Sequence, residues 1–464
     1  MSSSSSRSDD SDVDSEELAL RITLERPKEE IGGSSRSGTQ SQLPCRRSYE
    51  QLHQDCIVPL QEKTVLPCED YTITKYSTCM LSLHKNLPPL DFPPIYPRRS
   101  PLQARMSDET CVPPVHHYIK PCCMLDEART EAELVVFSVI DDLLAKTCIK
   151  HDAIDGLITN CSAFCPIPSI ADMIVNKYKL RGDIGVMNLS GMACSASMIA
   201  VGLASNMLQV MPQGSHVLVV STETIGPSYY SGNKPSMQLC NILLRVGGVA
   251  KLLSTSRSKA RYRLVHFTRT ITAANNSAYQ CVYQEEDEKG NLGIALSKDL
   301  TVVAGDALKA NIMATGPYVL PMSELLMFSL FNMARKVPRW RKIRPYIPNF
   351  CVAFEHFCIH AGGPAVISSV QHGLNLSGQY VEPSWMTLHR FGNQLSASVW
   401  YELAYIDAKG QMKKYDRVLM IGFGAGYDCN TTSWVCIQPS SCADGPWSNC
   451  INHYPKDIYK KNKW

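Results

Sequence analysis

One stretch of the chain, residues 184–222, contains no Lys, Arg, Asp or Glu. It reads as an apolar strand over Ile184–Leu189, a long apolar helix over Ala193–Met211 and a second strand over His216–Ser221. Ser, Asn, Gln, Gly, Pro and one His interrupt the run, so it does not read as a transmembrane helix. A charge-free strand–helix–strand unit is typical of the buried layers of a parallel or mixed α/β protein.

The same alternation of strands and helices continues on both sides of this unit. Upstream, the patterns predict helices at Asp126–Lys146 and Ser169–Tyr178 and a strand at Ile154–Asn160. Downstream they predict helices at Leu300–Ala314, Glu324–Ala334, near Pro364–His372 and at Gln394–Tyr405, a strand at Phe350–Phe354 and a final strand at Arg417–Phe423. Both halves follow one plan, a strand, a polar residue at its end and then a helix, which predicts a structural duplication.

Composition predicts the domain organisation and excludes several functions. With 44% hydrophobic and 19% charged residues and a formal net charge of +3, the chain reads as globular and disfavours nucleic acid as a partner. Its 19 cysteines and the absence of a signal peptide indicate reduced thiols. The predicted divisions are a disordered Ser- and acid-rich tail (1–50), an irregular Pro-rich segment (51–120), two α/β halves (121–290 and 291–438) and a C-terminal tail (439–464).

Cys194 lies between the apolar strand and the apolar helix of the charge-free run, among small neighbours. A thiol at a helix start experiences the positive end of the helix dipole, which favours the thiolate. The alternative interpretation is an ordinary buried core cysteine.

His356 and His360, four residues apart, resemble the metal-binding face of a helix. However, their run follows a predicted strand and ends in Gly362-Gly363, and the H-E-x-x-H order of zinc proteases is absent. The alternatives are acid–base or hydrogen-bond donation by His360 at a strand end, or a structural histidine.

Asn393 follows a glycine at the start of a predicted buried helix, where it could donate a hydrogen bond to an anionic oxygen or serve as a helix cap. The glycine-rich turn Gly422–Gly426 is a weak signal, because no phosphate partners are visible for a nucleotide. The remaining cysteines lack C-x2-C pairs, which disfavours a structural zinc site, and none of these motifs predicts another metal or a cofactor.

Together these motifs resemble those of the plant 3-ketoacyl-CoA synthases, condensing enzymes of the thiolase superfamily. The resemblance runs from about Cys122 to Trp434. It rests on these segments: Asn176–Gly182, Gly191–Ala196, Val220–Thr224, Tyr230–Asn233, Tyr283–Asp287, Glu355–Gly363, Met386–Asn393 and Trp400–Tyr405.

The resemblance implies a duplicated, five-layered α/β/α/β/α fold and a decarboxylative condensation of long-chain acyl-CoA with malonyl-CoA. It implies that Cys194 is the nucleophile, that His360 and Asn393 complete a triad, and that His356 and His389 support it. The backbone amides of Cys194 and Ala425 would form the oxyanion hole.

The resemblance also implies partners and a location. It implies a homodimer or a heterodimer with related synthases, and elongase reductases and a dehydratase as partners. It further implies the endoplasmic reticulum membrane, with a cytosolic location as the alternative because no transmembrane helix is visible in the sequence.

Three single positions and one short run depart from the family pattern. Two other functions also remain open. Ala193 replaces a usual glycine, which we expect to be tolerated unless the backbone there needs a positive φ. Ile271 and Pro364 replace a frequent histidine and a frequent basic residue, and the run from Gln394 to Ala397 is less rich in serine. The alternatives are a chalcone-type polyketide synthase and a catalytically impaired modulatory subunit.

Overall fold

The computed structural model describes residues 76–81, 125–256, 261–336, 346–440 and 445–456. The predictions for residues 1–50 therefore lie outside the described residues, as do those for 51–120 apart from one strand at Tyr76–Leu81.

The elements of the first half alternate as the sequence predicts. In chain order they are β1 (Tyr76–Leu81), α1 (Leu125–Thr147), β2 (Gly156–Asn160), α2 (Ile170–Tyr178), β3 (Gly185–Leu189), α3 (Ala196–Val210), β4 (His216–Thr222), α4 (Pro235–Leu243) and β5 (Gly248–Ser254). Local chemistry sets the boundaries. At the start of α2, for example, Ser169 and Asp172 form a reciprocal capping box.

The second half contains the remaining elements. They are β6 (Tyr262–Ile271), the one-turn helix α5 (Asn276–Tyr279), the hairpin β7 (Val282–Glu286) and β8 (Leu292–Leu296), α6 (Leu300–Val319), α7 (Met322–Lys336), β9 (His356–Ile359), α8 (Pro364–Gly373), α9 (Gly378–Phe391), α10 (Ser398–Ala408), β10 (Arg417–Phe423) and β11 (Asp428–Cys436).

Two sheets with matching topology carry the fold. The first has the strand order β1-β5-β4-β2-β3, and the second has β6-β11-β10-β9. In each, a parallel pair (β2 with β4, β9 with β10) is followed by an antiparallel strand (β5 or β11) and an antiparallel outer strand (β1 or β6). The predicted structural duplication is confirmed by this correspondence.

The helices complete a five-layered arrangement. The apolar stripe of α1, together with α2, packs on the outer face of the first sheet. Between the sheets lie α3 and α10, and the indole Nε1 of Trp400 on α10 donates to Ser197 Oγ on α3 at 2.9 Å. Outside the second sheet, α6 packs on β6 and β11. The predicted thiolase-like fold class is therefore confirmed.

The central helix also accounts for the apolar run at the centre of the sequence. Among the described residues one helix, Ala193–Val210, has the length and hydropathy of a membrane span, and 56% of it is buried inside the protein. Since this helix lies between the two sheets, burial in the core explains its lack of charge.

Three sequence predictions need correction. Phe350–Phe354 is not a strand but begins with a 3-10 turn over Phe350–Val352, because the Asn349 side chain caps that turn by accepting from the Cys351 amide at 3.0 Å. The strand follows as β9. Arg417–Phe423 is not the final strand, because β11 comes after it. The strand predicted to be buried at Ile184–Leu189 is the edge strand β3, with partly exposed side chains.

Candidate active site

Cys194 lies on a tight turn between β3 and α3. The turn is a single 3-10 turn over Ala193–Ser195, and Ala193 holds a φ of +52°. Its amide donates to Ser162 Oγ at 2.7 Å, which ties the turn to the end of β2. The backbone at Ala193 therefore does need a positive φ, the case in which alanine is less well tolerated than the usual glycine.

A turn of the same kind lies at the corresponding place in the second half. Leu395 has a φ of +50° and opens a 3-10 turn that leads into α10, as Ala193 does before α3. The Ser396 hydroxyl, which occupies the position equivalent to Cys194, accepts from Asn160 Nδ2 at 2.9 Å. The duplication thus extends to the turns, and one copy carries the thiol.

His360 directly follows β9 and is 2% exposed. Its amide donates to the Ile421 carbonyl at 2.9 Å, which extends the pairing of β9 with β10 by one residue. Gly362 lies against the imidazole, since a Cβ there would stand 3.0 Å from both Cδ2 and Nε2 of the ring. Burial lowers the pKa of His360 to about 4, so the ring is neutral at physiological pH.

Hydrogen bonds to both its backbone and its side chain fix the position of Asn393. Its backbone amide donates to the Leu243 carbonyl at 2.9 Å, and its carbonyl accepts from the Arg245 amide at 2.8 Å. Its side-chain Oδ1 accepts from the Leu395 amide at 2.8 Å, as a helix cap does. This bond turns Nδ2 toward the Gly362 carbonyl, at 3.2 Å, and toward the thiol of Cys194.

Asn393 therefore links the other two residues of the predicted triad. Its carboxamide contacts the Cys194 thiol and also the loop that covers His360. Both interpretations of Asn393 from the sequence, cap and donor, are compatible with this geometry because the two ends of one carboxamide serve them. One carboxamide thus connects the nucleophile turn of the first half with the loop that follows His360 in the second.

The electrostatic environment differs from the one expected from the helix dipole. Enclosure of the Cys194 thiol raises its pKa, the negative charge of Glu223 raises it further, and the hydrogen bond with Asn393 lowers it. The surroundings of the two residues consequently favour a neutral Cys194 thiol and a neutral His360 imidazole, rather than a preformed thiolate–imidazolium pair.

Glu223 is the residue that sequence reasoning missed. Its Oε2 accepts from the amides of Ser162 at 2.7 Å and Ala163 at 3.0 Å. Since the Ser162 hydroxyl accepts from Ala193, this carboxylate supports the nucleophile turn through one intermediate residue. Burial raises the pKa of Glu223 to about 7. The only sequence signal that could have pointed to Glu223 is its place in the segment Val220–Thr224, which carries part of the family resemblance.

The glycine-rich turn after β10 packs directly on the nucleophile turn. A Cβ at Gly424 would collide with the Ser195 hydroxyl and with the carboxylate of Asp428, so no larger residue fits there. The Ala425 amide donates to the Met192 carbonyl at 3.3 Å. The turn therefore packs on the turn that carries Cys194, and the oxyanion-hole role that the resemblance implies for the Cys194 and Ala425 amides remains a prediction.

The two further histidines are engaged elsewhere. His356 lies at the other end of β9 from His360, and its Nε2 is 2.8 Å from Asp416 Oδ2. His389, on α9, bonds through Nδ1 to the Tyr454 hydroxyl at 3.0 Å. These bonds indicate structural roles, and the predicted supporting role of both residues remains a prediction.

The other positions that depart from the family pattern have plain structural settings. Ile271 is 58% exposed at the end of β6. Pro364 is the first residue of α8, a position that suits proline because its missing N–H is not needed there. Gln394 is fully buried beside Gly247. Among the described residues, no group of three or more His, Cys, Asp or Glu side chains is arranged to hold a metal ion.

Comparison with known families agrees with this geometry. Residues 93–337 match the FAE1/Type III polyketide synthase-like protein family, and residues 353–435 match the 3-Oxoacyl-[acyl-carrier-protein (ACP)] synthase III C terminal family. The first match spans the first half and continues through α7 of the second, and the second match runs from just before β9 into β11.

Curated relatives come from Arabidopsis thaliana. The chain is 52% identical to 3-ketoacyl-CoA synthase 6 over 356 residues, which cover 75% of this chain and 71% of that protein. It is also 52% identical to 3-ketoacyl-CoA synthase 5, with 75% and 72% covered.

Solved structures share the fold at lower sequence identity. The 1,3,6,8-tetrahydroxynaphthalene synthase of Streptomyces coelicolor A3(2) superposes with a TM-score of 0.58 at 17% identity, covering 80% of this chain and 100% of that one. PKS-I from the brown alga Ectocarpus siliculosus gives a TM-score of 0.55 at 17% identity, with 70% and 80% covered.

The paired sheets and paired turns, of which one carries a cysteine, define a thiolase-like condensing enzyme. The relatives narrow this class: the chain belongs to the 3-ketoacyl-CoA synthase family, acyltransferases of fatty acid elongation.

Proposed function

We propose that this chain condenses a long-chain acyl-CoA with malonyl-CoA, using Cys194 as nucleophile and His360 with Asn393 as its partners. The observation that carries the assignment of roles is the contact of the Asn393 carboxamide with both the Cys194 thiol and the loop over His360.

In the first half-reaction, the Cys194 sulfur attacks the carbonyl carbon of the acyl-CoA thioester. Because the raised pKa of the thiol disfavours a free thiolate, His360 takes the proton as the C–S bond forms. The same proton then passes to the departing CoA sulfur. The acyl group is left on Cys194, and the imidazole returns to its neutral form.

In the second half-reaction, malonyl-CoA loses CO2, and the bonding electrons form an enolate. Its oxygen is stabilised by the N–H of neutral His360 and by Asn393 Nδ2. A low pKa suits this role of His360, since a buried imidazole that stays neutral keeps one N–H to donate.

The enolate carbon then attacks the acyl thioester carbonyl on Cys194. The amides of Cys194 and Ala425 hold the resulting oxyanion, which requires Ala425 to exchange its long bond to Met192 for one to the substrate. Collapse of this intermediate releases a 3-ketoacyl-CoA two carbons longer and expels the Cys194 thiolate, which takes a proton from water to become the neutral thiol again.

The proposal includes a dimer, the other enzymes of elongation as partners and a location at the endoplasmic reticulum membrane. The edge strand β3 supports the dimer, because Val186 and Met187 on it are each 39% exposed. An edge strand with apolar side chains invites pairing with a second copy or with a related synthase. Reductases and a dehydratase would process the 3-keto product.

The test is a condensation assay with purified full-length protein, acyl-CoAs of increasing chain length and labelled malonyl-CoA. We expect labelled 3-ketoacyl-CoA from the wild type and none from Cys194→Ala. Mass spectrometry should find the acyl group on Cys194 when malonyl-CoA is omitted. Folded protein that yields no product and no acyl-enzyme would contradict the proposal.

A further inference from the structure

Helix α7 directs an apolar face outward. Met322, Leu326, Leu330 and Met333 are 54–68% exposed and recur at the spacing that places residues on one side of a helix, and Met327 beside them is 41% exposed. Single exposed apolar residues are ordinary, but a continuous stripe of this kind marks an interaction surface.

The opposite face of α7 fixes its orientation. Glu324 Oε2 accepts from the Tyr346 hydroxyl at 2.6 Å and from the Asn349 amide at 2.8 Å. Phe331 stacks on the Tyr346 ring with centroids 5.2 Å apart, and Leu325 packs against the core. These contacts hold the helix by its inner side, so the apolar stripe stays on the surface.

The charged residues that α7 carries away from its inner face are basic. Glu324, the one acidic residue of α7, faces inward, and the helix ends in Arg335 and Lys336. The sequence then continues to residue 344, beyond the described helix, with Arg339, Arg341, Lys342 and Arg344 and no Asp or Glu. An apolar stripe that leads into a basic run is complementary to an anionic bilayer surface.

Two other occupants fit this surface less well. A second copy of α7 would bring two basic helix ends to one interface, while the one acidic residue of each helix, Glu324, is engaged on the inner side. The acidic start of the chain, residues 1–17, could neutralise the basic run, but only Met1 and Val13 in it are apolar side chains that could cover the stripe.

We propose that α7 docks in the plane of an anionic lipid membrane, with its Met and Leu side chains in the acyl boundary and its basic end at the headgroups. Over 15 residues the helix is about 22 Å long, sufficient for such an interfacial helix. This contact is distinct from the catalytic site and needs no membrane-spanning segment.

The test measures binding of the full-length protein to vesicles by flotation. The vesicles contain phosphatidylcholine alone or with phosphatidylserine. The variant Leu326→Glu/Leu330→Glu places two charges on the stripe. The matched control, Leu125→Glu/Leu134→Glu, changes two leucines of similar exposure, 53% and 49%, on α1. Circular dichroism and thermal unfolding confirm that both variants are folded.

We expect the wild type and the control to bind phosphatidylserine vesicles and to dissociate as NaCl is raised. The stripe variant should lose about tenfold or more in partitioning, since each leucine places four apolar carbons in the acyl boundary and the burial of each is favourable. Equal binding by the stripe variant and the wild type would overturn the proposal. So would a stripe variant whose main change, by light scattering, is the loss of a dimer.

Discussion

At the scale of single residues, the most consequential feature is the left-handed backbone of Ala193, next to the nucleophile. A non-glycine residue in this conformation destabilises the folded state by about 1–2 kcal/mol. Glycine removes this strain but raises the entropy of the unfolded chain, which lowers stability by about 0.5–1 kcal/mol. Ala193→Gly should therefore raise the free energy of unfolding by about 0.5–1 kcal/mol in urea denaturation.

The control for this substitution is Ala200→Gly in the interior of α3, where the backbone is helical. There the same chemical change should lower the free energy of unfolding by about 1 kcal/mol. If the two substitutions shift stability in the same direction, the strain assigned to Ala193 is absent.

Glu223 should control the reactivity of Cys194 through its charge. Above about pH 7 the carboxylate is ionised and raises the pKa of the thiol. Glu223→Gln removes the charge while keeping an oxygen for the amides of Ser162 and Ala163. We expect alkylation of Cys194 by iodoacetamide, followed by peptide mass spectrometry, to become severalfold faster at alkaline pH, with its midpoint at lower pH.

Glu131→Gln provides the matched control for the charge effect. Burial also raises the pKa of Glu131 to about 7, but its carboxylate accepts from the Ile225 amide at 2.9 Å and is not among the groups acting on Cys194. An identical acceleration in both variants would mean that general loosening of the structure, rather than the Glu223 charge, governs the thiol.

At the scale of elements, strand β5 carries a lysine in the central layer. Lys251 is 1% exposed; its Nζ donates to Ser221 Oγ at 2.7 Å and lies 4.7 Å from the centroid of the Trp400 ring. Burial lowers the pKa of Lys251 well below its usual 10.5, so the folded state disfavours the charged amine. Folding near neutral pH therefore has to release a proton or bury a charge.

Lys251→Met should stabilise the protein, and the gain should depend on pH. The unfolded lysine binds a proton up to about pH 10.5, whereas the folded one releases it at lower pH, so the stability of the wild type rises with pH across that window. The stabilisation by Met is thus large at pH 7 and shrinks as pH approaches 10.5. Urea unfolding at several pH values measures it.

The exposed Lys309 on α6 serves as the comparison, because Lys309→Met changes the same side chain without burial. Its effect on the free energy of unfolding should be small at every pH. A pH-independent gain for Lys251→Met would contradict the neutral, desolvated amine.

The elements that sequence reasoning identified are those with one strong periodic signal. Helix α1 was predicted at Asp126–Lys146 and extends over Leu125–Thr147, because its apolar residues recur at helical spacing. Strand β11 was missed because its polar residues read as a loop. In the fold it is buried, and Asn311 Nδ2 on α6 donates to the Cys429 carbonyl of β11 at 2.7 Å. Helix α9 was missed because Pro383 interrupts its pattern.

At the scale of the whole molecule, the sequence predicted the duplication and the three residues of the candidate triad, and tertiary contacts supply the rest. Cys194 and His360 each stand between a strand and a helix, and Asn393 stands just before a buried helix, positions that are visible along the chain. Glu223 could not be assigned a role, because it acts through Ser162, some sixty residues away in sequence. The left-handed turn at Ala193 was not predicted, because the usual sequence signal for a positive φ is a glycine and this position has an alanine.

In the dimer proposed above, the edge strand β3 is the candidate interface. Since β3 ends the sheet order β1-β5-β4-β2-β3, its outer backbone groups are available to pair with β3 of a second copy, which would continue one sheet across both molecules. Val186→Lys adds a charge on this edge of each copy, so two like charges approach across the interface. We expect the dimer dissociation constant to rise about tenfold or more in analytical ultracentrifugation.

The control for the dimer prediction is Val210→Lys, a change to the same residue type at the end of α3, where the side chain is 87% exposed. This variant should associate as the wild type does. Because β3 leads directly into the turn that carries Cys194, dissociation should also slow acylation of the thiol, as the turn loses the support of the partner strand. A Val186→Lys protein that remains dimeric with unchanged acylation would show that association uses a different surface.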